Sequence, residues 1–282
     1  MISPGKGISQ VRISRLTDGR LQERKDVVAV EEPLEIRVEF TRDGVRSTVP
    51  VSITMRTPGN DFELAAGFLY GEGILQNRDE ITEIDYCQGD ETQTYNIVQV
   101  RLRPETEFDP DALDRNFYMT SSCGVCGKAS LEAVEMGGCE PLPNEGLKVA
   151  ADLFTGLPEI LRAGQGLFDR TGGIHAAGRF DESGRLLSLK EDVGRHNAVD
   201  KVVGEAFLAG ELPLGRTILA VSGRASFEIM QKAVVAGIPV VAAVGAPSSL
   251  AVELAHTFNM TLLGFTRAEG FNIYAGAGRV AG

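Results

Sequence analysis

The sequence predicts an α/β protein: a three-layer α/β/α domain preceded by a smaller, strand-rich α+β domain. Two observations carry this. In the second half, short apolar runs alternate with helical patterns, and strands apolar on both faces pair in parallel with helices covering each side. In the first half, apolar and polar residues alternate in segments joined by turn residues, as half-buried strands do. The 282 residues, 43% of them hydrophobic, suffice for one large or two smaller units with a sizeable core. The division expected is a flexible arm over 1–20, an N-terminal α+β domain over 21–115 and a C-terminal α/β domain over 116–282.

Residues 1–20 are polar and mixed in charge, without the apolar stretch of a secretory leader. Residues 27–30 and the alternating stretch 34–40 read as strands; Asp43-Gly44 closes a turn before the alternating strand 47–55. Thr57-Pro58-Gly59-Asn60-Asp61 breaks this pattern, with Asp61 as N-cap of a helix aligning Leu64, Ala65, Phe68 and Leu69. Residues 95–102 form another strand, and the polar 103–116 a connector. Helices are expected over 128–136 and 149–163, a hairpin over 173–190 turning at Asp181-Glu182-Ser183-Gly184, and a helix over 197–207. Then strands 217–221, 239–244 and 261–265 alternate with helices 227–236 and 250–258. Ligands of parallel sheets lie beyond the carboxyl ends of the strands, which here are 222–226, 245–249 and 265–270.

A net charge of −11 argues against a general nucleic-acid binder, and no apolar run is long enough to span a bilayer. Four cysteines are no disulfide framework, so the reducing cytoplasm is the expected compartment. The pair in Cys123-Gly124-Val125-Cys126 stands out. Two thiols at this spacing can hold a metal, cycle through a disulfide or carry sulfur as a persulfide. Lys128 and a helix opening near Gly127 place positive potential beside them, which favours the thiolate. Structural zinc usually needs a second close pair, absent here. A zinc deaminase carries His-x-Glu before Pro-Cys-x-x-Cys, whereas His175 follows these cysteines, with Ala177 at the glutamate position and Ser122 at that of the proline. No metal is therefore expected. A thioredoxin-like pair belongs at an opening strand–helix junction, not after a polar connector. Reduced core thiols are the remaining plain reading, opposed by the polar, glycine-rich flanks; Cys87 and Cys139 are read that way.

Ser222-Gly223-Arg224-Ala225-Ser226 lies between a strand and a helix, where free amides and the helix dipole favour anions. Arg224 and Arg267 can add charge, and Ser226 can act as cap and ligand; an ordinary capped turn explains the loop equally well. His175 and His196 sit in polar, glycine-flanked strings that suggest a shared cleft, with Asp192 placed to orient an imidazole; structural hydrogen bonding competes with this. His256 reads as structural, Lys232 as solvated surface, and Glu191, Asp200 and Lys201 as an ion-pair network.

Several strings read in order resemble one family. They are Thr57-Pro58-Gly59, Glu63 to Leu69, Glu72-Gly73-Ile74, Cys123 to Gly127, Thr171 to Ala177, Glu191 to Lys201, Ser222 to Glu228, Ala246 to Ala251 and Gly264 to Arg267. Together they are similar to the FdhD sulfur carriers, the formate dehydrogenase accessory proteins. The resemblance implies a cytidine-deaminase-like α/β domain and a sulfurtransferase-like carrier. It would accept persulfide sulfur from a cysteine desulfurase and deliver it to the bis-molybdopterin guanine dinucleotide cofactor of formate dehydrogenase. Cys123 matches the persulfide-carrying cysteine, with Cys126 assisting transfer or resolving as a disulfide. Phe265, Thr266, Arg267, Ala268, Glu269 and Gly270 match the segment assigned to cofactor binding, although a later basic residue of that segment is missing after Glu269-Gly270. Ser222, Gly223, Arg224, Ser226, His175 and His196 complete the expected site, and a homodimer is the expected assembly. A chaperone binding the guanine-dinucleotide cofactor without handling sulfur is the alternative, and a zinc hydrolase a third reading.

Overall fold

Two two-stranded pairs, a four-stranded sheet and a six-stranded sheet are formed by the described residues, 7–87, 95–110, 139–143 and 146–282, in a computed structural model. The Cys123/Cys126 pair and the helix expected over 128–136 lie outside the described residues.

β1 (Ile8–Thr17) and β2 (Arg20–Ala29) pair antiparallel around Asp18-Gly19, whose φ angles of 51° and 73° are those of a two-residue type I′ hairpin. Ten of the twenty residues of the arm expected to be flexible thus form β1. Every residue from 14 to 25 is exposed, so the ribbon has no buried face and hence no apolar alternation to betray it.

β3 (Glu32–Arg42) and β4 (Val45–Arg56) form the next hairpin, followed by α1 (Asp61–Gly71), β5 (Ile81–Tyr86) and β6 (Ile97–Leu102). The sheet order is β4-β3-β6-β5, with only β3 and β6 parallel. Leu34, Ile36, Val38 and Phe40 alternate onto one face of β3, and α1 covers them with Leu64, Ala65, Ala66 and Leu69. Asp61 is not the cap. Asn60 holds that position in left-handed conformation, and buried Asp61 is the first helical residue. Its carboxylate meets buried Arg56 at 3.0 Å and accepts from the Gly59 amide and the Tyr86 hydroxyl.

The second half comprises β7 (Val149–Ala150), α2 (Ala151–Ala163), α3 (Gly166–Thr171), β8 (His175–Asp181), β9 (Leu186–Asp192) and α4 (Arg195–Leu208). It continues through β10 (Thr217–Val221), α5 (Phe227–Val235), β11 (Val240–Ala243) and α6 (Ser249–Thr257) to β12 (Thr261–Arg267), β13 (Gly270–Ala275) and β14 (Val280–Ala281). β10, β11 and β12 are parallel, as their apolar runs predict. The sheet, ordered β13-β12-β11-β10-β8-β9, is nevertheless mixed, because antiparallel strands extend it on both sides. Successive residues of β10 feed different cores. Ile218 and Ala220 meet Phe154, Leu157 and Leu161 of α2, while Leu219 and Val221 meet the side carrying α4, α5 and α6. Among the described residues, no helix is long and apolar enough to cross a membrane.

The halves join where α1 lies on α4. A Cβ on Gly67 would fall 2.0 Å from the Asp200 carbonyl oxygen, and one on Gly204 1.8 Å from that of Glu63. Only glycine permits this backbone contact.

Candidate functional site

Because β8 runs antiparallel to both β10 and β9, the start of β8 and the end of β9 lie at the same edge as the carboxyl ends of β10, β11 and β12. His175 therefore sits beside Ser222, Val244 and Thr266. These residues open a largely apolar cavity of about 840 Å3, walled also by Pro158, Leu161 and Arg162 of α2, by Phe168 of α3 and by Arg267, Ala268 and Glu269. Arg162 lies 4.6 Å over the Phe168 ring and pairs with Asp169 at 2.6 Å, which fixes that wall. Glu191 anchors α3 by accepting the Leu167 and Phe168 amides, both at 2.9 Å.

The segment 265–270 is not the simple loop expected. Phe265 to Arg267 end β12 in an irregular register, Ala268-Glu269 turn, and Gly270 opens β13. Phe265 takes a left-handed φ of 53° and is 41% exposed, while Thr266 turns inward and is buried. The bulge thus alternates one side chain out and the next in.

Nor does the 222–226 loop offer all its amides. The Ser222 amide donates to the Ala176 carbonyl and its hydroxyl accepts the Ala176 amide, tying β10 to β8. The Gly223 carbonyl accepts from Gly245, and Ala225 bridges Pro247, so the loop continues the parallel pairing past β10. Arg224 is exposed and stands outside the cavity lining. Ser226 occupies the N-cap of α5, yet its hydroxyl makes no cap bond and lies 3.0 Å from His196 Nε2.

The two histidines do not share one cleft. His175 lines the cavity, whereas His196 faces Ser226 and, at 3.7 Å, the Glu228 carboxylate. Burial, then the Arg195 charge, lowers the His175 pKa against the pull of Asp192. The same two causes push His196 down to about 4, with Glu228 opposing and Lys232 and His175 reinforcing. Burial pushes the Glu228 carboxyl up, but hydrogen bonds from its own amide and Ser226, with the His196 and Arg195 charges, bring it below its ordinary value. At neutral pH both imidazoles are therefore uncharged. An NMR titration of the His196 C2–H resonance is expected to give a midpoint near 4; one near 6.5 would contradict this environment. The unfolded chain takes up the proton first as pH falls. The stability the neutral ring provides is therefore present above about pH 6.5 and lost as pH drops toward 4.

Asp192 orients no imidazole. Fully buried, it pairs with Lys201 at 2.6 Å and accepts the Thr57 amide (3.1 Å), the Gly194 amide (2.8 Å) and Asn197 Nδ2 (3.0 Å). Lys201 also donates to the Thr57 carbonyl, and Asn197 to that of Met55. This clasp fastens the end of β4 to the edge holding the histidines. The expected Glu191–Asp200–Lys201 network is thereby divided: Glu191 anchors α3, Lys201 holds Asp192, and Asp200 pairs at 2.7 Å with Lys232. Lys232 is buried, not solvated. Cys139 packs half-buried against the core, where burial raises its pKa, and Cys87 is half-buried after β5.

A mixed α/β chain with an apolar cavity at the carboxyl edge of its sheet is a ligand-binding class of fold. Its family is narrower. The family model described as "FdhD/NarQ family" matches residues 29–281, and the chain belongs to that family. It is 51% identical over 281 residues to "Sulfur carrier protein FdhD" of Streptomyces avermitilis, covering 98% of this chain and 97% of that one. It is 47% identical over 282 residues to the protein of that name in Mycobacterium tuberculosis, covering 98% and 99%. A crystal structure of a candidate formate dehydrogenase accessory protein from Desulfotalea psychrophila superposes with a TM-score of 0.75 at 26% identity, covering 98% of this chain and all of that one.

Proposed function

We propose that this protein is a sulfur carrier which accepts persulfide sulfur on Cys123 from a cysteine desulfurase and passes it to the bis-molybdopterin guanine dinucleotide cofactor for formate dehydrogenase. The observation that carries this reading is near-full-length identity of 51% to a protein named as a sulfur carrier, in a chain with Cys123 and Cys126 separated by two residues. The chemistry is balanced: the Cys123 thiolate attacks the outer sulfur of the donor persulfide, the donor leaves as thiolate, and Cys123 holds the sulfane sulfur. Attack by a nucleophilic acceptor on that sulfur transfers it and frees the Cys123 thiolate; attack by Cys126 on the Cys123 Sγ instead forms the Cys123–Cys126 disulfide and releases the sulfur as hydrosulfide.

The cofactor's place in this reading is the carboxyl edge, where the cavity bounded by His175, Ser222 and Thr266 to Glu269 takes the ligand and Phe265 and Gly270 frame the bulge. Gly223, Arg224, Ser226 and His196 belong to the neighbouring loop surface, which would meet the anionic parts of the ligand. A cytoplasmic homodimer with a cytidine-deaminase-like layer order is part of the same proposal.

The test is incubation of the purified protein with a cysteine desulfurase and cysteine, followed by mass measurement of the intact chain and of its Cys123 peptide. Gain of one sulfur on that peptide, reversed by a reductant and lost in Cys123→Ala, is expected. No gain from a competent desulfurase, with cofactor binding intact, would leave a cofactor-binding chaperone instead.

A further inference from the structure

Cations inside this protein generally have a partner: Arg279 donates to the Pro143 carbonyl, and the others face carboxylates. Arg56 faces Asp61, Arg179 faces Glu211, Lys201 faces Asp192 and Lys232 faces Asp200. Arg195, the half-buried first residue of α4, differs. Its Nε is wholly buried and hydrogen-bonds to nothing, and it forms no ion pair among the described residues. The side chain lies between the two histidine environments. A Cβ built on Gly223 would meet His175 Nδ1 at 3.4 Å and Arg195 Cδ at 3.9 Å, so imidazole and arginine flank one glycine. His196 follows directly in sequence, with its Nε2 against Ser226. Thr266, 1% exposed and lining the cavity with His175, is another orphan: its Oγ1 has no partner among the described residues. Leaving such a buried group without a partner is costly, more so for a charged donor than for a neutral one.

We propose that Arg195 is an anion-binding residue of this edge, receiving a phosphate group of the ligand whose body enters the cavity beside His175. The idea deepens the cofactor-binding reading above and rests on its placement of the ligand. A guanidinium suits the task because its planar fork matches phosphate oxygens. The neighbouring groups leave it the role. His175 and His196 are neutral at physiological pH and can donate without adding charge, and Asp192 is saturated by four donors. Glu228 faces His196 at 3.7 Å and feels the Arg195 charge, but makes no ion pair with Arg195. Thr266 Oγ1 is available to an acceptor in the cavity.

Inorganic pyrophosphate serves as the probe. The chain has three histidines, His175, His196 and His256, so their C2–H resonances can be followed in the full-length protein as pyrophosphate is added. Shifts are expected at His175 and His196 and none at His256. Arg195→Gln should raise the half-saturating concentration by about tenfold or more, and Arg195→Lys by less. Equal half-saturation in folded Arg195→Gln overturns the proposal. So does a wild-type titration to millimolar pyrophosphate that moves neither histidine, a result that needs no variant to fold. Sulfur loading of Cys123 is read separately by mass, so failure of the carrier reading and failure of the anion site leave different records.

Discussion

Gly204→Ala is expected to lower the stability of the protein by about 3 kcal/mol, and a comparable loss is expected for Gly67→Ala. The added methyl would fall 1.8 Å from the Glu63 carbonyl oxygen at position 204 and 2.0 Å from that of Asp200 at position 67. Both obstacles are backbone, which has no rotamer to change. The helices must separate, and their separation opens the contact that joins the four-stranded sheet to the six-stranded one. Gly156, in the middle of α2, is the control: nothing lies within 4 Å of its added Cβ. Alanine there should stabilise by about 0.5–1 kcal/mol, since it only reduces the freedom of the unfolded chain. Urea midpoints for the three variants decide the matter, and similar midpoints for Gly204→Ala and wild type would dismiss the close contact.

Lys201→Met is expected to cost about 3–5 kcal/mol, because it strands a fully buried carboxylate. Asp192 is 0% and Lys201 1% exposed. Three N–H donors would still reach Asp192, but none carries the charge that offsets its removal from water. Asp192→Asn combined with Lys201→Met should recover part of the loss, since neither partner is then ionised. A double variant as unstable as the sum of the two single ones would show that the pair is not energetically coupled. The clasp also includes Gly194 and Asn197, which flank Arg195 and His196. The single variant should therefore broaden the histidine resonances before it unfolds the chain.

The legible parts of this fold are those where burial leaves a periodic trace. Residues 217–221 were placed residue for residue because a strand covered on both faces must be apolar throughout. β3 was legible because one covered face imposes alternation. β1 left no such trace, although Asp18-Gly19 is the same two-residue signal as Asp43-Gly44, which marks the turn into β4. Without alternation on either side, that signal alone does not announce a hairpin. β13 was missed because its pairing with β12 is interrupted by the bulge, which scrambles the period. Among the site residues, the carboxyl-edge rule brings together Ser222 and Thr266 to Glu269, which line one cavity, whereas His175, expected in a cleft with His196, lines that cavity without it. It had no means of placing His196 and Ser226 against each other on the far side of the loop. The burial of Lys232 and Asp200 was hidden for a related reason: each is polar by composition, and only tertiary packing brings the two helices together to pair them. Arg195 escaped notice because a missing partner has no signature in a linear chain.

The β1–β2 ribbon sets a boundary on how uniformly this molecule holds together. Two strands without a third, and without a covered face beyond residue 13, lack the burial that makes a hairpin stable on its own. Arg12 stands directly opposite Lys25, which adds repulsion within the pair, and Leu16 and Leu21 at the tip are 66% and 72% exposed. The distal half can therefore open and reclose at small free-energy cost while the two sheets behind it remain shut. Arg15, Arg20 and Arg24, spaced along the same open edges, discourage a passing strand from adding to it. Stability is thus graded along the chain, lowest at the tip of the ribbon and highest where two glycines let α1 and α4 touch.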